Sequence, residues 1–330
     1  MSVVTQDSFG VAGDARMPLL SRALDPVEVE HVLHGLAGWK GAAVHAIRVV
    51  RYKAGRRCLI EYDVELPSSA GGTLVAKARA RGADRETFEL HRELRHRGFD
   101  ERSADAICVP EPIAVVPTLG LWLQRKVAGV PATERLRGAD GPALARRLAE
   151  AAHKVHAAGV PTRREHTLAD ELRILHERLE ALAVDQPDWA PRLKRVLAAC
   201  DRLGKTTTAT ARGGIHRDFY PDHALLDGDR VYLLDFDLYC RGDLALDAGN
   251  CVGHITEQAV RTRGDPRAFA ECEAALEERF VELNAAETRP AVRAYALLTL
   301  ARHVYVSAQH FERRPFTARL LELCEERLGC

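Results

Sequence analysis

The sequence carries no net charge: 47 lysines and arginines balance 47 aspartates and glutamates. A neutral chain exerts no global pull on nucleic acid or an anionic membrane, so any basic site has to be local. No apolar run approaches the ~18 residues that cross a bilayer. The opening "MSVVTQDSFGVAGDARMP" has neither the basic start nor the apolar middle of a signal peptide. None of the eight cysteines stands in a Cys-x-x-Cys pair or at zinc-ligand spacing from histidine. That argues against a structural zinc and for reduced thiols in the cytoplasm. Internal repeats and low-complexity tracts are missing as well. What is present is an ordinary globular balance, 46% hydrophobic and 28% charged over 330 residues, long enough for a large core and two lobes.

Residues 1–22 show no periodicity and are expected to form a flexible leader. "DPVEVEHVLHGL" predicts a helix, with Asp25 as cap, Pro26 in the first turn and Glu28 completing a capping box. Three β-branched or alternating runs follow, "HAIRVVRY", "RCLIEYDVEL" and "GTLVAKARA", separated by "KAGR" and "PSSAGG". "DRETFELHRELRHRGF" reads as a helix, and "ICVPEPIAVVPTLGLWLQRKVAGVP" as strand broken by prolines. Beyond Gly129 the period becomes helical, as in Leu144, Leu148, Ala151 and Val155. The order predicts a sheet-rich region of roughly 120 residues, then a mostly helical one of roughly 200.

The helical part is interrupted by "GGIHRDFYPDHALLDGDRVYLLDFDLYCRGDLALDAGN", Gly213 to Asn250. It gathers Asp218, Asp235, Asp237, Asp243 and Asp247 within thirty residues. Carboxylates this dense repel unless something positive lies between them. "HALL" and "VYLLDFD" flank a "DGD" turn and predict a hairpin. A hairpin sets the loop before its first strand beside the loop after its second, so Asp218 and Asp235 become neighbours. Two carboxylates facing one gap suit a hard divalent cation.

The motifs "HRDFYPDH", "LLDFD" and "GDLALDAGN" resemble, in order and spacing, three motifs of the aminoglycoside phosphotransferase and choline kinase superfamily. The resemblance covers about residues 45–310. It implies an α+β, bilobal protein-kinase-like fold: a small antiparallel-sheet N-lobe over residues 23–126 and a larger, mainly helical C-lobe over 127–330. It implies ATP and Mg²⁺ as cofactors, with the γ-phosphoryl group passed to a hydroxyl of a sugar- or aminoglycoside-like small molecule. The alternative is a kinase-like protein of a peptide-modifying pathway, acting on peptide Ser or Thr or serving as a binding partner. Neither nucleic acid nor membrane is implied as a partner. By resemblance Asp218 is the catalytic base and Asp235 the main Mg²⁺ ligand, with Asp237 in partial support. His216 and Asp243 prop the catalytic loop, and Asp247 supports the helix that begins there. The family's usual Asn is His223 here. An imidazole binds Mg²⁺ weakly, which leaves three readings of His223: a contact to phosphate, a contact to a metal-bound water, or the mark of a lost second metal.

The resemblance also places the nucleotide end. "YKAGRRCLIEY" is the turn over the phosphates, with one glycine, Gly55, and Arg57 as a phosphate contact. "TLVAKARA" supplies Lys77, whose partner is one of Glu86, Glu89 and Glu93, spaced along one helical face; Glu89 is the choice made here. "LWLQRKVAG" is the linker, where backbone groups from Gln124 to Lys126 would meet adenine. In the helical part Arg302, Tyr305 and Gln309 share a face suited to a polar or anionic hydroxylated acceptor, although an amphipathic surface helix is the slightly better account of the pattern.

Overall fold

Alternating apolar residues form antiparallel sheet in the computed structural model, which describes residues 3–67 and 69–330. The chain divides into two compact units, one reaching to Ala128 and the other running from Gly129 to Cys330.

The first unit holds β1 (Val4–Gln6), α1 (Leu20–Ala23), α2 (Pro26–His34), β2 (Ala43–Lys53), β3 (Arg57–Leu66), β4 (Ser69–Arg79), α3 (Arg85–His96), β5 (Ile107–Cys108), β6 (Pro112–Val116) and β7 (Leu121–Arg125). Its six-stranded sheet has the order β1-β2-β3-β4-β7-β6. Facing pairs such as Ile47 with Tyr62 and Tyr62 with Leu74 set the apolar positions in register. A period of two then buries one face, and Ile47, Ile60, Tyr62 and Leu74 lie in the core. The turn "PSSAGG" contains Ser68, which lies outside the described residues. Asp25 caps α2 by accepting from the Val27 amide at 2.9 Å. Glu28 does not close a capping box; it pairs with Arg22 at 2.9 Å.

The expectation of a flexible leader needs correction. Met1 and Ser2 lie outside the described residues, but the rest of the segment is built into the unit. β1 lies parallel to β2, and Val11, Met17, Leu20 and Ala23 are core residues. These apolar groups lack a period because they are spread over short turns. No pattern betrays them, yet each removes apolar area from water.

The second unit holds β8 (Val130–Pro131), α4 (Ala132–Arg135), α5 (Gly141–Ala158), α6 (Leu168–Asp185), α7 (Ala190–Thr206), β9 (Arg212–Ile215), β10 (Ala224–Asp227), β11 (Arg230–Leu233), β12 (Cys240–Asp243), α8 (Ala245–Arg263), α9 (Ala270–Leu283), α10 (Arg289–Gln309) and α11 (Thr317–Leu328). The hairpin forms as its turn residues predict: β10 and β11 pair antiparallel from Ala224–Leu233 to Asp227–Arg230. β9 pairs antiparallel with β12, Ile215 opposite Cys240. α8 and α10 pack at backbone distance, because a Cβ on Gly249 would sit 2.5 Å from the Val292 carbonyl oxygen. Among the described residues no helix is long and apolar enough to cross a membrane. All eight cysteines are free thiols.

Candidate active site

β9 ends at Ile215 and releases a loop, residues 216–223, that leads into β10. β11 ends at Leu233, two residues before Asp235. Arg217 and Asp235 both take left-handed backbone, with φ of 70° and 60°. Such a conformation costs a non-glycine residue about 1–3 kcal/mol and persists only where the surroundings impose it.

The surroundings here are a buried carboxylate. Asp247, in the first turn of α8, accepts from the His216 amide at 2.8 Å and the Arg217 amide at 2.7 Å. His156 Nε2 donates to the same carboxylate at 2.8 Å. One turn further along α8, Asn250 Nδ2 donates to the Phe219 carbonyl at 3.0 Å. His216 Nε2 donates to the Leu234 carbonyl at 2.8 Å, tying the loop to the residue before Asp235. Three of these four backbone groups belong to the loop itself, so α8 and His216 together fix where Asp218 emerges.

His223 lies between the two expected functional carboxylates. Its Nδ1 is 3.8 Å from Asp218 Oδ2 and its Nε2 is 3.6 Å from Asp235 Oδ2. Nδ1 also lies 2.8 Å from the Asp218 carbonyl oxygen. A carbonyl only accepts, so Nδ1 carries the proton. Burial lowers the pKa of His223, against the opposing pull of Asp218 and Asp235. The ring is therefore neutral near pH 7, and Nε2 presents a lone pair toward a carboxylate. Two such groups facing one another favour an electropositive occupant.

Asp243 requires correction. Its hydrogen bonds go elsewhere than the catalytic loop. It accepts from Thr210 Oγ1, from the Thr210 amide at 3.2 Å and from the Ala245 amide at 3.1 Å. It thus joins the lead-in of β9 to the start of α8. Its position in the chain, before the helix, leaves it facing the helix N-terminus, whereas Asp247 turns back toward the loop. Asp237 lies in the 3₁₀ turn of residues 236–238, where its carbonyl accepts from Arg164 at 2.8 Å. Among the described residues no group of three or more His, Cys, Asp or Glu side chains converges to hold a metal. Asp237 and His223 therefore do not complete a protein-only ligand set around Asp235. Mg²⁺ does not need one, since it takes one or two carboxylates and draws its other ligands from phosphates and water. Asp235, with its carboxylate oxygens and 26% side-chain exposure, fits that requirement.

Behind the loop lies a second buried pair. His166 Nε2 is 2.6 Å from Glu171, whose other oxygen is 3.4 Å from Arg302. Burial alone would raise the pKa of Glu171, but His166, Arg302 and Arg217 outweigh it and bring it down to about 2. Arg302 also donates to Asn250, which in turn holds Phe219.

In the first unit the placements are mixed. Lys77 stands on β4 opposite Trp122, its ammonium 5.1 Å from the ring centroid. Glu89 is not turned to Lys77; it pairs with Arg92 on its own helix at 3.1 Å. Glu93 likewise takes Arg97 at 2.7 Å. Helical spacing puts arginine three and four residues away from these glutamates, and the local partner wins. Gly55 sits at the β2–β3 turn with φ 61°, but its amide is already bound, donating to Asp14 at 2.7 Å. Arg57 is the first residue of β3, opposite Arg79, rather than the turn tip. Gln124 is buried in β7. The amides of Arg125 and Lys126 donate to Glu111 and Thr73, both at 2.8 Å, and the Lys126 ammonium pairs with Glu61 at 2.6 Å. Those two amides belong to the sheet and are not open to adenine.

Sequence reasoning missed the targets of Asp247 and the parts played by Asn250 and His156. The spacing of Asp247 and Asn250, one turn apart on α8, was the available signal. His156 comes from α5 and left none.

The sequence model of the phosphotransferase enzyme family matches residues 63–314. No curated protein matches the sequence. Among solved structures, choline kinase from Cryptosporidium parvum Iowa II is 12% identical; the match covers 92% of this chain and 95% of that one, with a TM-score of 0.62. An amicoumacin kinase in complex with AMP-PNP, Ca²⁺ and Ami is 13% identical; the match covers 94% of this chain and 96% of that one, with a TM-score of 0.60. A thermostable mutant of aminoglycoside phosphotransferase APH(4)-Ia, in a ternary complex with AMP-PNP and hygromycin B, is 17% identical; the match covers 91% of this chain and 97% of that one, with a TM-score of 0.59. Likenesses at this level of identity establish the fold, an α+β protein-kinase-like one.

Proposed function

Because the chain belongs to the phosphotransferase enzyme family, we propose that it transfers the γ-phosphoryl group of ATP to a hydroxyl of a small molecule, with Mg²⁺ as cofactor. One observation carries the residue assignment: Asp218 and Asp235 flank the neutral imidazole of His223 at 3.8 and 3.6 Å. Phosphoryl transfer asks the protein for positioning and charge compensation more than for covalent chemistry.

Asp218, with 38% of its side chain exposed, orients the acceptor hydroxyl and receives its proton. Asp235 would hold Mg²⁺ through carboxylate oxygen, and bound Mg²⁺ neutralises the phosphates. Asp235 takes left-handed backbone, with φ of 60°, two residues beyond the end of β11. His223 presents its Nε2 lone pair beside Asp235, where it accepts from a polarised water more readily than it binds Mg²⁺ directly. Lys77 is assigned to the nucleotide phosphates through its long flexible stem.

Isothermal titration with Mg·ATP and ATP-consumption assays on two variants test this reading. Asp235→Ala should abolish both nucleotide binding and turnover. Asp218→Ala should keep nucleotide binding while turnover falls about 10²–10⁴-fold, the usual contribution of a general base. Equal loss of nucleotide affinity in both variants would refute the division of roles.

A further inference from the structure

Asp247 binds the amide of Arg217 directly and so accounts for the left-handed backbone there. Asp235, with φ of 60°, stands at the end of a different strand. On its near side it is tied through the Leu234 carbonyl, which accepts from His216 at 2.8 Å. On its far side the chain enters the 3₁₀ turn of residues 236–238, closed by the Tyr239 amide on the Phe236 carbonyl at 3.0 Å. A left-handed aspartate before a single short turn persists only if something beyond the turn holds it.

The connection between α5 and α6 provides that hold. The Val160 carbonyl accepts from the Tyr239 hydroxyl at 2.9 Å. Arg164 Nη1 donates to the Asp237 carbonyl at 2.8 Å. The Arg241 amide donates to the Arg164 carbonyl, and the His166 amide to the Arg241 carbonyl, both at 2.9 Å. Glu165 and Arg241 thereby form a parallel bridge. These four hydrogen bonds fasten residues 237–241 to a segment that belongs neither to the loop of residues 216–223 nor to α8. Tyr239 is buried and Arg164 half-buried. Of the four, only the bond from Arg164 has a charged donor, which makes it roughly twice as strong as a neutral one.

We propose that Arg164 is a positioning residue for the metal: through the Asp237 carbonyl, and with Tyr239, it holds the turn so that Asp235 is preset to receive Mg²⁺. The inference rests on the reading of Asp235 as the Mg²⁺ ligand and adds the residue that governs metal affinity without touching the metal. Asp218 and Asp235 then have separate supports, α8 for the first and the α5–α6 connection for the second. Without Arg164, Asp235 relaxes toward ordinary backbone while the site is empty. Taking up the metal then requires restoring the strained conformation, which lowers apparent affinity by the fraction of chains that hold it. Once the metal is bound the geometry is the same, so turnover at saturating Mg²⁺ is kept.

Calorimetric titration of ATP into the full chain, once with Mg²⁺ and once with EDTA, gives the gain in nucleotide affinity that the metal supplies. Arg164→Met should shrink that gain about 10-fold, the usual effect of losing a group that orients a metal ligand, and leave metal-free ATP affinity unchanged. Arg164→Lys should restore part of it, since an ammonium brings one donor to the same carbonyl. Tyr239→Phe removes a single hydrogen bond and should shrink the gain about 3-fold. In turnover, Arg164→Met should raise the Mg²⁺ concentration for half-maximal rate about 10-fold and keep kcat at saturating Mg²⁺ within about twofold. Amide hydrogen exchange should quicken at residues 236–239 and not at 216–219. Arg163→Gln, exposed on the same connection, serves as the control and should change nothing. A lower melting temperature with the magnesium gain intact would overturn the proposal, as would a fall in kcat at an unchanged half-maximal Mg²⁺ concentration. If Asp235→Ala abolishes the gain and Arg164→Met leaves it whole, the proposal falls and the reading of Asp235 stands. If Asp235→Ala keeps the gain, Asp235 is not the ligand and both fall together.

Discussion

A neutral imidazole between two carboxylates can relieve their repulsion only through its proton on one side and its lone pair on the other. His223 is arranged in that way, its Nδ1 proton on the Asp218 carbonyl and its Nε2 toward Asp235. An asparagine offers the same combination of donor and acceptor, and a leucine offers neither. His223→Asn is thus expected to keep kcat/KM within about tenfold, and His223→Leu to lose about 10²-fold, measured by ADP release with saturating Mg²⁺. Glu171 gives a prediction in pH. Its folded pKa of about 2 lies below the ordinary 4.5, so its contribution is fully present above pH 4.5 and is lost as pH falls toward 2. The difference is worth about 3 kcal/mol at 1.36 kcal/mol per pH unit. Denaturant titrations of the unaltered chain and Glu171→Gln should therefore differ most above pH 4.5 and converge below pH 2. Asp218 and Asp235 were legible in the sequence because motif order and a two-residue turn brought them together. The partner of Glu171, 131 residues away, was not.

Elements meet here through particular small residues and turns. α8 and α10 approach so closely that a Cβ on Gly253 would lie 2.7 Å from the Thr299 Cβ, and one on Gly249 2.5 Å from a backbone oxygen. Gly249→Ala and Gly253→Ala should each cost about 1–3 kcal/mol by overpacking, read as a fall in Tm. Since α8 carries Asp247 and Asn250, the same variants should lower kcat by displacing the loop. The β2–β3 turn is held differently. Asp14 accepts from the Gly55 amide at 2.7 Å and the Tyr52 hydroxyl at 2.8 Å, while Arg16 packs where a Gly55 side chain would go. Asp14→Ala should free the N-terminal segment and show as faster hydrogen exchange at Gly55 and Tyr52. The turn itself was readable from "KAGR"; its carboxylate partner, forty-one residues upstream, lay in a stretch without period.

At the scale of the molecule, deleting residues 1–24 should destabilise the first unit, because it strips Val11, Met17, Leu20 and Ala23 from the core. Burying a side chain of that kind is worth about 1.5–3 kcal/mol, so the shortened chain should aggregate or melt well below the full one in a thermal scan. Its balanced charge gives no reason to expect binding to nucleic acid. By itself the sequence determined the order of sheet and helix, the hairpin and the pair of acidic residues it delivers. Each of these depends on neighbours within a few residues: a period of two or 3.6, a turn, a short motif. Tertiary structure alone decided that Asp247 rather than Asp243 holds the loop, that Glu89 goes to Arg92, and that the leader is core. Those outcomes depend on which helix faces which, and on the competition among distant charges for a few buried partners.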